Sequence, residues 1–328
     1  MDLIPIIPFE PENINILPQG DRWIFQVKWD GVRLLSYYDG QKVRLFNRKK
    51  NERTLQFPEF LDMKNYCFAS SVILDGEIIA LEKGKPSFSK VMQRDSLRLI
   101  NKIEKMRINI PVTYMVFDAI YWNGKWINNE SFQYRQEILG KIIKPRPNLQ
   151  LVESFSDGEA LWRGVVDQDL EGIVCKDLNS PYLLGGKDHR WQKLKNYKTL
   201  NAVVGGVTFR DGRVNSLLLG LYDGQGHLQY IGHAGTGRIT LEQWKTFTAE
   251  VRDLIIDQCP FVETPQRSQE AFWVQPFFTV RIQYIQWTPE GVLRQPSIQS
   301  FIDYPVEKCW LPDARKEDQK YGFSDSLH

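Results

Sequence analysis

Cysteine is scarce: four residues in a chain of 328. Cys67, Cys175, Cys259 and Cys309 lie far apart, with no CxxC and no histidine at ligand spacing, which argues against a disulfide framework and a zinc site. They read as reduced, mostly buried thiols of a cytoplasmic protein. No uninterrupted apolar run approaches the ~18 residues of a bilayer span. The N-terminus, "MDLIPIIPFEPENI", has no basic segment leading into an apolar one, so no signal peptide is expected. Net charge is also small, with 42 Lys and Arg against 40 Asp and Glu. The total therefore neither demands nor excludes a polyanionic partner; the positions of the charges must decide. Internal repeats and low-complexity blocks are absent as well.

What is present divides in two. The length suggests two domains on a prior of ~150 residues each. Residues 22–47 contain two hydrophobic runs, "WIFQVKWDGVRLLSYY" and "KVRLFN", separated by the turn signal Asp39-Gly40. "SVILDGEIIAL" (71–81) and "PVTYMVFDAIYW" (111–122) read as buried strands, whereas 87–105, 130–143 and 157–169 read as helical. After Lys198 the chain becomes a series of short strands broken by Asp-Gly and Gly-x-Gly turns, with one amphipathic helix over about 240–257. Strands, one helix and more strands within ~110 residues predict a small barrel, with a five-stranded OB-fold as the leading candidate. The expected boundaries are 1–198 for the first domain, 199–310 for the barrel and 311–328 for a polar tail, with a linker near 197–201.

"FQVKWDGVRLL" (25–35) carries the first chemical signal. Read as a strand, Phe25, Val27 and Trp29 point one way and Gln26, Lys28 and Asp30 the other. Lys28-Trp29-Asp30-Gly31-Val32-Arg33 matches K-x-D-G-x-R, the motif of covalent nucleotidyltransferases. On its own the pattern equally describes an edge strand ending in a glycine turn. An ordered series follows: Asp75 and Glu77 in "LDGEIIAL", Phe117 and Asp118 in "YMVFDAIYW", Glu171 and Lys176 in "LEGIVCK", Lys193 and Lys195 in "WQKLK", and Arg294 in "LRQPSI". Chance does not readily supply six elements in this order.

With these motifs the chain resembles the ATP-dependent DNA ligases, in particular compact bacterial enzymes related to the ligase modules of end-joining proteins. The resemblance covers residues ~20 to 305 and is most specific at 28–33, 171–176 and 191–195. It implies an α+β fold: a nucleotidyltransferase domain of ATP-grasp-like type, with antiparallel sheets and flanking helices, followed by a small all-β OB-fold domain. It further implies that ATP and Mg2+ or Mn2+ are used, that nicked double-stranded DNA is the substrate, and that Lys28 becomes covalently adenylylated. By the same resemblance Asp30 supports the nucleophile's surroundings, Lys193 and Lys195 meet the α-phosphate, and Glu171 and Glu77 are the metal-site candidates. Glu77 and Arg33 are expected at the ribose, Phe117 stacked on adenine, Gln26 at the base edge, and Arg48 on AMP and then the 5′-phosphate of the nick. Lys176 is expected to pair with phosphate or with a carboxylate, and Arg294 to assist the first step. Trp29 and Trp191 read as packing residues whose indoles could also touch nucleic acid. Arg210, Arg213 and Arg238 sit near turns of the expected barrel, where DNA-backbone contact is slightly favoured over plain solvation, and are not counted in the site.

Two departures from the family stand out. Relatives commonly carry glutamate two positions before the lysine, where this chain has Gln26; an amide both accepts and donates, which weakens discrimination between adenine and guanine. Beyond Arg294, "FIDYPVEK" places Ile302 and Pro305 where relatives usually have charged residues, leaving Arg294 to act alone or with Lys308. Only 27 residues precede Lys28, so no large N-terminal DNA-binding domain is expected. The resemblance admits a Ku-like end-binding partner, and a monomer that works in the cytoplasm at the nucleoid. The competing functions are an mRNA-capping guanylyltransferase, an RNA ligase, and a catalytically silent nick-binding module. The tryptophan of "KWDG" and the segment "WTPEGVLRQPSI" favour the DNA ligase over the guanylyltransferase.

Overall fold

The computed structural model describes residues 3–235, 237–266 and 268–312. The polar tail expected over 311–328 thus lies, from residue 313 onward, outside the described residues. The chain forms two compact units, Met1–Asn196 and Tyr197 onward.

The first unit contains two sheets. The larger has seven strands, with Val43–Asn47, Val32–Tyr38, Val72–Glu82, Val112–Trp122 and Lys125–Trp126 in spatial order. Lys85–Pro86 pairs with the central Val72–Glu82 strand, and Leu149–Leu151 runs parallel to Val112–Trp122. The smaller sheet has the order Glu10–Asn13, Lys187–Lys195, Gly172–Asp177, Trp23–Val27. Its first pair is parallel and the others antiparallel.

Side-chain alternation explains why the large sheet is buried on both faces. Leu34 and Leu74 join a core with Phe57, Phe60, Tyr114, Ile138 and Ile142. Their neighbours Leu35 and Ile73 join Phe9, Phe132, Tyr182 and Trp191. Trp191 belongs to the smaller sheet, so this second cluster packs the two sheets together. The helix Phe132–Ile142 begins at Ser131, whose hydroxyl accepts from the Tyr134 N–H at 3.2 Å. It buries Phe132, Arg135, Ile138, Leu139 and Ile142, the spacing of one helical face.

The run "WIFQVKWDGVRLLSYY", a single hydrophobic stretch in the sequence, is two strands on two sheets. Trp23–Val27 lies in the small sheet and Val32–Tyr38 in the large one. The chain crosses between them at 28–31. Gly31 permits the crossing: a Cβ there would lie 2.1 Å from the Ile78 carbonyl oxygen. Both sides of the alternation are covered, since Gln26 and Asp30 are buried along with Phe25.

The second unit is a barrel in more pieces than the expected five. Its sheet runs Leu228–Ala234, Arg213–Tyr222, Lys198–Arg210, Ala271–Val274, Ile255–Ile256, with Thr279–Tyr284 pairing to Lys198–Arg210 and to Ser297–Ile302. Residues 271–274 and 279–284 occupy the same edge of the long Lys198–Arg210 strand. Pro276 separates them, and a proline has no N–H to give to the ladder. A bridge between Gly237 and Ile298 brings the far strands together. Thr240 and Gln243 form a capping box at the start of the helix Leu241–Arg252, whose Phe247 stacks on Phe301 at 4.5 Å.

Candidate active site

Strand register assembles the site. The Lys28 N–H donates to the Gly172 carbonyl at 2.9 Å, continuing the pairing of Trp23–Val27 with Gly172–Asp177. Gly172 also lies opposite Lys195, with φ +154° and a notional Cβ only 2.1 Å from the Leu194 carbonyl oxygen. No other residue fits there, and the close approach sets Glu171 between two lysines. Lys28 Nζ donates to Glu171 Oε2 at 2.7 Å, and Lys195 Nζ lies 3.8 Å from Oε1. The lysine side chain is 22% exposed and the carboxylate 5%.

Lys193 shares this crowd of cations. Burial, then the charges of Lys28, Lys195 and Lys187, pull its amine down to about 8. Glu77 shows the opposite effect. Burial pushes its carboxyl up to about 8; Lys28 and Arg33 pull it back, and the carboxylates of Glu171 and Asp75 add to the rise. Lys28, Glu77, Glu171, Lys193 and Lys195, spread over 168 positions of sequence, therefore share one electrostatic environment.

Arg33 is held by Asp75 of the "LDGE" motif together with Phe9 and Tyr182, which no motif contains. Its Nε and Nη2 donate to Asp75 at 2.6 and 2.5 Å, and Nη2 also donates to the Phe9 carbonyl at 3.1 Å. The Tyr182 hydroxyl donates to Asp75 Oδ2 at 2.6 Å and accepts from the Phe9 N–H at 3.0 Å. Asp75 stood within the motif "LDGE", whereas nothing in "NSPYLL" marked Tyr182. The Arg33 guanidinium lies 4.8 Å from the centroid of the half-buried Phe117 ring.

The remaining expected residues are placed less uniformly. Asp30 is buried within the crossing. Gln26, 2% exposed, donates its amide nitrogen to Ser154 Oγ at 3.0 Å and faces the Val152 carbonyl at 3.5 Å; sequence offered no sign of Ser154. Arg48 is 61% exposed and pairs with Glu10 at 3.7 Å; Glu10 also acts on Lys193, so Arg48 borders the same charged surface. Lys176 lacks the carboxylate that was one of its two expected partners. No carboxylate lies within ion-pair reach of it among the described residues, and its ammonium sits among aromatic rings instead. Arg294 belongs to the second unit, opposite Gln286 in a two-stranded ribbon.

Among the described residues no three or more His, Cys, Asp or Glu side chains cluster as a ready-made metal cage. The donor set still fits magnesium, which commonly uses one or two carboxylates together with substrate phosphates and water. Glu77 supplies a carboxyl that Lys28 and Arg33 influence but that no Lys or Arg among the described residues pairs with directly, and Glu171 supplies a second. No helix is long and apolar enough to cross a membrane among the described residues.

A nucleotidyltransferase unit built around a lysine and two carboxylates, with a separate OB-fold unit, defines the covalent nucleotidyltransferases. The chain belongs to the ATP-dependent DNA ligase family: it matches the ATP dependent DNA ligase domain over residues 12–195 and the ATP dependent DNA ligase C terminal region over 210–302. The multifunctional non-homologous end joining DNA repair protein LigD of Mycobacterium tuberculosis is 30% identical over 287 residues, 85% of this chain but 36% of that protein. The chain thus spans about a third of the LigD relatives' length. The SPbeta prophage-derived DNA ligase-like protein LigB of Bacillus subtilis is 31% identical over 299 residues, 90% of this chain and 94% of that one. Among solved structures, mycobacterial DNA ligase D complexed with ATP and MES superposes with a TM-score of 0.54 at 27% identity, covering 95% of this chain and 99% of that one. A Lig E DNA ligase shares the fold at a TM-score of 0.59 and 17% identity, covering 89% of this chain and 99% of that one.

Proposed function

We propose that this chain seals nicks in duplex DNA in three phosphoryl transfers, with Lys28 as the covalent nucleophile. The observation that carries the reading is the Lys28–Glu171 contact, flanked by Lys193 and Lys195. In the first transfer the neutral Lys28 amine attacks the α-phosphorus of ATP. A P–N bond forms, the bond to the β-phosphate oxygen breaks, pyrophosphate leaves, and the amine proton passes to solvent or a neighbouring base. In the second, an oxygen of the DNA 5′-phosphate attacks the same phosphorus and the P–N bond breaks, returning lysine and leaving AMP on the DNA. In the third, the 3′-hydroxyl attacks the 5′-phosphorus, AMP departs and the strand is closed.

The protein's part in each step is positioning and charge stabilisation. Glu171 orients the lysine, and Lys193 and Lys195 face the non-bridging oxygens of the α-phosphate. Arg33, fixed by Asp75 and Tyr182, and Glu77 bind the ribose, and Phe117 takes the base on its outer face. Asp30 anchors the crossing, Gln26 reads the base edge, and Arg48 holds AMP and then the 5′-phosphate. Glu77 and Glu171 would hold magnesium or manganese, which neutralises phosphate charge when bound. Arg294 assists adenylylation, residues 1–198 act as the adenylation domain, and 199–310 as the DNA-gripping OB domain. The end-joining relatives support a Ku-like end-binding partner, and the same reading makes the chain a monomer acting at the nucleoid.

Sealing of a 5′-labelled nicked duplex, with ATP and magnesium, tests this reading. Closed strand and a trace of adenylylated DNA are expected. A requirement for GTP, or sealing only of nicked RNA, would replace the DNA ligase with one of its rivals.

A further inference from the structure

Lys176 is 1% exposed, and among the described residues no carboxylate pairs with it. Two guanidiniums share that interior, and each has its carboxylate: Arg33 with Asp75, and Arg135 with Asp118 at 2.8 and 3.0 Å. Both of those carboxylates and the Arg135 side chain are fully buried. Tyr182, packed against Trp191 and Arg135, keeps its proton because burial raises its hydroxyl far above the usual range. Lys176 finds rings instead. Its Nζ lies 4.0 Å from the centroid of Trp191, 4.4 Å from Phe117 and 4.7 Å from Phe132, with the Phe117 carbonyl at 3.5 Å. The first three are cation–π distances, and desolvation strengthens such contacts.

The lysine is buried and the Phe117 ring half-exposed, so the ammonium meets that ring from the interior; the Arg33 guanidinium, 4.8 Å from the same centroid, is common to wild type and to the Lys176 variants. A ring's negative π face disfavours direct stacking on another π system. A cation behind the ring draws that density inward and relieves the repulsion on the outer side. We propose that Lys176 is a positioning residue for the nucleotide base: its ammonium, caged by Trp191, Phe132 and Phe117, holds and polarises the Phe117 ring so that the outer face stacks a purine. This inference rests on the reading of Phe117 as the base platform.

The charge is adjustable. Burial lowers the Lys176 amine to about 7; Asp118 and Asp75 hold it up, and Arg33 and Arg135 push it down further. Below that value the ammonium is present, and above it the amine is neutral.

The test is the ATP dependence of single-turnover lysyl–AMP formation by wild type, Lys176→Met and Lys176→Gln, at about pH 6 and about pH 9. Because KM does not depend on the fraction of active enzyme, partial misfolding of a variant leaves the comparison intact. Both variants should raise KM about fivefold at the lower pH, with the maximal rate within about twofold of wild type. At the higher pH the ratio of variant to wild-type KM should fall towards one, since wild-type Lys176 is then neutral too. Titration of Glu77 and Lys193 is common to all three proteins and cancels in the ratio. In a Phe117→Leu background, Lys176→Met should add nothing. A ratio of one at both pH values, a ratio above one but equal at both, or an undiminished effect without the Phe117 ring would each overturn the assignment. Absence of label on the wild-type protein would instead overturn the ligase reading itself.

Discussion

Lys28 Nζ and Glu171 Oε2 lie 2.7 Å apart, across 143 positions of sequence, on a carboxylate that solvent barely reaches. Hydrogen bonds between opposite charges are strong, and this one fixes the amine in a single direction. Glu171→Ala should reduce lysyl–AMP formation by about 10²–10³-fold, the range seen when one preorganised electrostatic contact is removed. Rapid-quench kinetics with α-labelled ATP would measure it. A rate within about threefold of wild type would remove Glu171 from the site.

If Gln26 reads the base edge as proposed, Ser154 sets how its amide is presented. The Val152 carbonyl can only accept, so the amide nitrogen of Gln26 turns towards it and Ser154, and the amide oxygen faces the other way. An oriented oxygen accepts from the exocyclic amine of adenine and repels the O6 of guanine. Ser154→Ala should lower the ATP-to-GTP ratio of kcat/KM by about tenfold while leaving ATP turnover nearly intact, in line with the worth of one hydrogen bond. An unchanged ratio would show that Ser154 does not set the amide.

Glu77 predicts a pH signature in stability. Its carboxyl is held up to about 8 in the fold and returns to an ordinary carboxylate value on unfolding. Between those values the unfolded chain has released a proton that the native chain still holds, so this group's contribution declines as pH rises. The melting temperature of Glu77→Gln minus that of wild type, without nucleotide or metal, should therefore climb from about pH 4.5 to about pH 8 and then level off. A difference that stays flat across this window would contradict the burial assigned to Glu77.

Gly31 predicts a backbone effect. A methyl group there would collide with the Ile78 carbonyl, so Gly31→Ala must displace the 28–31 crossing. Destabilisation of about 1–3 kcal/mol in urea unfolding is expected, with a larger loss of lysyl–AMP formation because Lys28 sits on the displaced segment. Wild-type stability in the variant would mean that the crossing accommodates a side chain.

Much of the site was legible because its chemistry is local in sequence. "LEGIVCK" and "WQKLK" each lie within one strand and its end, the lysine motif spans the 28–31 crossing into the next strand, and register brings them together. The split of 22–38 into strands of two sheets was not legible, since both halves have the same apolar texture and only the Gly31–Ile78 approach separates them. Tyr182 was silent for a related reason: its partners Phe9 and Asp75 are 173 and 107 residues away. Lys176 looked like a phosphate or carboxylate partner because lysines usually are; its true surroundings come from three separate elements, and no local pattern announces them.

The ligase reading requires that Lys28 become covalently bonded to AMP. Incubating the full chain with α-labelled ATP and magnesium, then separating it under denaturing conditions, tests this most directly, provided the protein is first treated with pyrophosphate to discharge any AMP carried through purification. Label is expected on the wild-type chain and none on Lys28→Ala, with loss of the label when nicked DNA is added after free ATP has been removed. Label that persists in Lys28→Ala, or label from GTP in place of ATP, would contradict that reading.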